Sequence, residues 1–123
     1  MIKLFRLFLV VLLTGTTIST FSQAWEISWE KQMGNRDVDF YTDVIEDNHS
    51  GYTVFGATEV AQKSSDFWLV RYTTNGDTLW TKTFGTKNRD IPKKITQTTD
   101  GGYLLLGTTI EENTAKLLLL KTD

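Results

Sequence analysis

The sequence predicts an all-β protein built from antiparallel four-stranded repeats, and two observations carry that expectation. First, an offset of 51 residues superposes Trp29 on Trp80, Lys31 on Lys82, Gly34 on Gly85, Asp39 on Asp90 and Val44 on Ile95. The same offset superposes Gly51 on Gly102, Tyr52 on Tyr103, Gly56 on Gly107 and Thr58 on Thr109. Beyond these the register slips by about one residue, so that FWLVRYT faces LLLLKTD. Second, the segments between these anchors are short, rich in β-branched and aromatic residues, and fenced by turn residues.

The first element is not part of the fold. Lys3 and Arg6 precede an apolar run, Leu7 to Leu13, and a Ser/Thr-rich stretch leads to Ser22-Gln23-Ala24. That is the pattern of a secretory signal peptide over 1–24, cleaved near Ala24. The run is too short to span a hydrocarbon core, which needs about 20 apolar residues. The expected address is therefore secreted, whether periplasmic, cell-surface or extracellular, with no membrane span after cleavage. The chain has no Cys, so neither a cysteine-linked lipid nor disulfide staples are available. With Lys3 and Arg6 removed, 11 basic residues face 15 acidic ones, a formal charge of −4. Nucleic acid is an unsuitable partner for such a chain.

The repeat domain covers 25–123. A Trp-bearing strand is expected at 25–33, ahead of a first set at 40–47, 52–59, 66–74 and 77–84. The second set is 91–98, 102–109 and 115–122. Phe40, Val44, Ile91 and Ile95 are the expected inward positions of the weakly alternating strands. Asn75-Gly76 is a strong short hairpin signal, placing Tyr72 and Trp80 on its two arms. Ser50-Gly51 and Asp100-Gly101-Gly102 mark the turn before the second strand of each set, and the Asp100 carboxylate can bond nearby amides. Pro92 opens a strand, where its missing donor does little harm.

A period near 50 residues is that of propeller blades or a related array. The expected architecture is about two blades, a first over 40–84 and an incomplete second over 91–122. The second set lacks the fourth strand, and the lone strand 25–33 is of that type. It is a candidate to complete the second blade, as propellers close without leaving a long edge open.

The spacing Gly76-x-x-x-Trp80, then Gly85, Asp100-Gly101-Gly102-Tyr103 and Gly107-x-Thr109, resembles propeller-like repeats of secreted bacterial proteins. It also looks distantly like the tryptophan-docking repeat of quinoprotein-type propellers. The resemblance covers nearly all of 25–123 and implies a propeller-like fold, with no assigned activity. It implies structural roles for Trp29, Gly34, Gly51, Tyr52, Gly56, Gly76, Trp80, Gly85, Gly102, Tyr103 and Gly107. Propellers have about four to eight blades, so two cannot ring an axis. Copies assemble, or the two sheets pack as an isolated sandwich, or the chain is a remnant of a longer array.

No catalytic constellation is legible. His49 is the only histidine and sits in a turn, and no nucleophile elbow, phosphate loop or transition-metal spacing occurs. The acidic residues Asp37, Asp39, Asp43, Glu46 and Asp47 match no calcium loop. The expectation is a non-enzyme without cofactor or metal. Trp25 and Trp68 do not recur at the offset and are the candidate ligand-binding rings. Two functional readings stand. One is a secreted, self-associating binding module for a surface partner or glycan; the other is a subunit or remnant of a larger propeller enzyme without independent activity.

Overall fold

The computed structural model describes residues 25–34, 39–59 and 65–123. The expected signal peptide and Asp37 lie outside them. Seven antiparallel strands follow in order: β1 (Phe40–Asp47), β2 (Gly51–Thr58), β3 (Asp66–Thr73), β4 (Thr78–Phe84), β5 (Arg89–Gln97), β6 (Tyr103–Glu111) and β7 (Thr114–Lys121). They form a four-stranded sheet, β1-β2-β3-β4, and a three-stranded sheet, β5-β6-β7. Among the described residues there is no helix.

Local chemistry places the strand ends. Thr73 accepts from the Gly76 amide through its carbonyl, and its own amide donates to Asp77; Gly76 turns at φ 83°. Leu79 is the extra residue where the register shifts between Arg71↔Trp80 and Tyr72↔Thr78. At the second turn Asp100 accepts from the Gly102 amide at 3.2 Å, and Gly101 takes φ 88°. The β6–β7 hairpin turns on Glu112 and Asn113, both at positive φ, the geometry of a two-residue primed turn.

The sheets stack face to face. Phe55, Phe67 and Leu69 of the first sheet are buried against Ile95, Tyr103 and Leu105 of the second, with Ile45, Trp80, Phe84, Leu118 and Leu120 around them. Phe55 and Phe67 meet edge to face at 5.0 Å, a favoured arrangement of ring quadrupoles. Polar bonds tie the layers: the Ile95 amide donates to Asp43 Oδ2 at 3.0 Å, the Asn48 amide to Gln97 Oε1 at 2.7 Å, and Thr53 Oγ1 lies 2.9 Å from the Tyr103 hydroxyl.

Val44 is not an inward residue. It is 58% exposed, whereas Asp43 and Ile45 face the second sheet. The register of β1 against β2 shifts between Tyr41 and Asp43, leaving Thr42 as an extra residue before the pairing Val44↔Val54. A matching shift between Pro92 and Lys94 leaves Lys93 extra in β5. Such a bulge re-aims the side chains that follow it.

The segment 25–33 is also not a strand. It runs irregularly over the first sheet's outward face, where Met33 packs with Trp68, Val70, Tyr72 and Val54. It does not pair with β7, which forms an edge of the second sheet. Trp29 holds the segment on this face, its Nε1 donating to the Thr74 carbonyl at 2.9 Å.

Candidate functional site

Trp29 roofs an open cleft of about 580 Å³ on the outward face of the first sheet. Its floor is Val44, Val54, Tyr52 and Tyr72, and its rim includes Lys31, Met33 and Tyr41. The Trp29 ring stands 5.8 Å from Tyr52 and 6.4 Å from Tyr72, tilted against both. A Cβ at Gly76 would meet this ring at 2.9 Å, so the glycine of the hairpin clears the seat for the indole.

Two phenols hold the segment down. The Tyr72 hydroxyl donates to Met33 Sδ at 3.2 Å, and the Tyr41 hydroxyl to the Met33 carbonyl at 3.3 Å. Burial pushes the Tyr41 phenol up to about 12, and the charges of Tyr72 and Asp39 add to the effect. Burial raises Tyr72 as well. Both rings are therefore neutral hydrogen-bond donors across the ordinary pH range.

Between the sheets lies the principal buried ion pair. Arg71 grips Asp47 through Nε at 2.8 Å and Nη2 at 3.0 Å, and the Asp47 side chain is fully buried. Burial alone would push the Asp47 carboxyl up; the Arg71 hydrogen bond, the His49 amide and the Arg71 charge outweigh it and hold the carboxyl below its usual range. The Asp47 carboxylate also accepts from the His49 amide and the Thr53 hydroxyl, tying the β1–β2 turn to the strands.

The candidate rings do not converge. Trp25 is 94% exposed at the start of the described chain. Trp68 is buried in β3, stacked on Tyr41 at 5.5 Å with its Nε1 donating to Thr81 Oγ1. The aromatic surface at the cleft comes instead from Trp29, Tyr52 and Tyr72. Trp29 and Tyr52 recur at the offset of 51, and that recurrence is the signal that pairs them. His49 lies in the β1–β2 turn beside Gly101. Among the described residues no three His, Cys, Asp or Glu gather as a metal site.

Other residues that coincide at the offset make matching contacts. Trp80 meets Tyr103 at 6.3 Å, as Trp29 meets Tyr52. Gly34 lies against the Asp39 carboxylate, and Gly85 against that of Asp90. Gly56 abuts the Phe40 carbonyl, and Gly107 that of Ile91. Gly51 abuts the Tyr72 carbonyl and Gly102 that of Thr122.

These features define an all-β protein of two stacked antiparallel sheets with an aromatic cleft on one outward face. Comparison with protein-family models, with curated proteins and with solved structures finds no match to the chain.

Proposed function

We propose that the chain is a secreted, non-catalytic, propeller-like interaction module that self-associates through the outward faces of its sheets and engages a surface partner or glycan. The observation that carries this reading is apolar surface on both outward faces. On the first sheet Val44 is exposed beside the Trp29 cleft. On the second, Leu117 is 74% and Leu119 52% exposed, in a row with the half-buried Leu106. Contiguous apolar faces of this kind mark interaction surfaces. The matching contacts at an offset of 51 support the blade-like reading of each sheet, and the pattern of residues 1–24 supports export.

Light scattering on the purified chain tests the reading. The expected result is a discrete oligomer large enough to close a ring of sheets. A monomer with molten behaviour refutes it and favours instead a subunit or remnant of a larger assembly, for which the outer edge of β7, unpaired among the described residues, speaks. A glycan array then separates sugar binding from protein binding, and silence across the array removes the sugar.

A further inference from the structure

We propose that residues 25–33 of one copy supply the fourth strand to the three-stranded sheet of a second copy, pairing with its β7 and joining the copies head to tail. This rests on the self-association proposed above and assigns its geometry. Two correspondences within the repeat carry it, and the repeat then fixes a register.

Trp80 sits on β4, the fourth strand of the first sheet, and packs on Tyr103 of the next sheet. Trp29 packs on Tyr52 of the first sheet in the same manner. By that relation the segment around Trp29 occupies the place of a fourth strand belonging to a sheet stacked before the first. Among the described residues no sheet stands in that place: the β5-β6-β7 sheet lies on the opposite side of the first sheet, and a second copy would supply it.

The two outward faces are the counterparts of the two buried ones. At the offset of 51, outward Tyr52, Val44 and Val54 correspond to Tyr103, Ile95 and Leu105, which are buried against the first sheet. On the far face of the second sheet, Leu106 corresponds to buried Phe55 at the same offset. With the register slip, Leu117 and Leu119 correspond to buried Phe67 and Leu69. The far face of one copy therefore presents to the Trp29 cleft of the next what the first sheet presents to the second within one chain. Such an interface joins two different surfaces, and it repeats from copy to copy, closing a ring where the rotation per copy allows.

The missing strand also has a register. In the first sheet Arg71 pairs with Trp80, Leu69 with Lys82 and Phe67 with Phe84. Carried across, Lys121 faces Trp29, Leu119 faces Lys31 and Leu117 faces Met33 of the other copy. The donated strand would cover the exposed edge of β7, satisfying backbone groups that otherwise need water.

The absence of cysteine makes the register testable. Facing residues of an antiparallel pair lie about 4.5–5.5 Å apart at Cα, within disulfide reach. Lys31→Cys and Leu119→Cys chains, purified separately and mixed under mild oxidation, are expected to give a disulfide-linked heterodimer. Lys31→Cys with Leu118→Cys, whose side chains lie on opposite faces in this register, is expected to give none. A discrete oligomer without the Lys31–Leu119 link overturns the strand donation while leaving self-association standing, whereas a monomer removes both. A Lys31→Cys/Leu119→Cys chain that links within itself also overturns it.

A second pair of variants does not depend on disulfide geometry. Val44→Asp spoils the face from which the strand is donated, and Leu117→Asp spoils the face that receives it. Each alone is expected to be monomeric, and their mixture to form a dimer and nothing larger, because one good junction remains. A mixture that stays monomeric, or either variant assembling alone, overturns the head-to-tail arrangement.

Discussion

Trp80 meets Tyr103 at 6.3 Å, with the ring planes inclined at 66°, so the last strand of the first sheet is locked onto the second. Lys82 Nζ stands 5.8 Å from the same indole and adds a cation–π contact. The corresponding contact, Trp29 with Tyr52, is made by a segment outside any sheet, with Trp29 still 37% exposed.

The two tryptophans should therefore differ in their contribution. Trp80→Ala removes a ring packed against the inter-sheet core and is expected to cost about 3 kcal/mol, at the low end for large-to-small core changes because the ring is only half-buried. Trp29→Ala removes a surface seat and should cost about 1 kcal/mol. Urea unfolding of both variants, followed by near-UV circular dichroism, checks the order; equal losses would contradict the distinction.

Acid should weaken the fold through Asp47. Its folded carboxyl is held below the ordinary value of 3.8. A depressed folded value contributes stability that is present above the unfolded value and lost as pH falls toward the folded one. Unfolding free energy is thus expected to fall below about pH 4, with a shallower slope in Asp47→Asn. Arg71→Met leaves the buried carboxylate unpaired and should cost about 3 kcal/mol at neutral pH. An acid slope unchanged in Asp47→Asn would assign the effect to other carboxylates.

Base should act through the cleft. Tyr41 is raised to about 12 and Tyr72 is also raised. Stability from these phenols is complete below the unfolded value of 10.0 and is lost as pH rises from there toward 12. Phenolate absorbance should show a late-titrating tyrosine that disappears in Tyr41→Phe. A titration in which every tyrosine ionises near pH 10 would count against the buried, hydrogen-bonded Tyr41.

Glycine substitutions should separate close approach from backbone conformation. A Cβ at Gly107 would strike the Ile91 carbonyl and the Phe67 ring, neither of which can move without parting strands or sheets. Gly107→Ala is expected to cost more than about 2 kcal/mol, as overpacking of a filled interior does. Gly101 has room, with His49 Cε1 at 3.6 Å, but takes φ 88°. Gly101→Ala should cost about 1 kcal/mol, the strain of a left-handed alanine. Thermal unfolding ranks the two, and a reversed order would deny the close packing at Gly107.

Strand positions were legible in the sequence because they depend on short-range chemistry. The spans expected at 40–47, 52–59, 66–74, 77–84, 91–98, 102–109 and 115–122 lie within about two residues of β1 to β7. Asn75-Gly76 and Asp100-Gly101-Gly102 turn the chain by positive φ and side-chain capping, wherever the strands later pack. The β6–β7 turn at Glu112-Asn113 was harder to read, since glutamate is an uncommon residue at positive φ.

Which way the strands face was a tertiary decision. Both faces of the β1–β3 region carry apolar side chains, so alternation cannot say which is inward; the bulge at Thr42 turned Val44 out and Asp43 and Ile45 in. The same holds for Trp29. Their shared spacing marks Trp29 and Trp80 as residues of one kind before any fold is known. Only the stacked sheets decided that Trp80 would be closed between layers while Trp29 docks on an outward face, since a ring's burial depends on whether a second sheet lies beyond it.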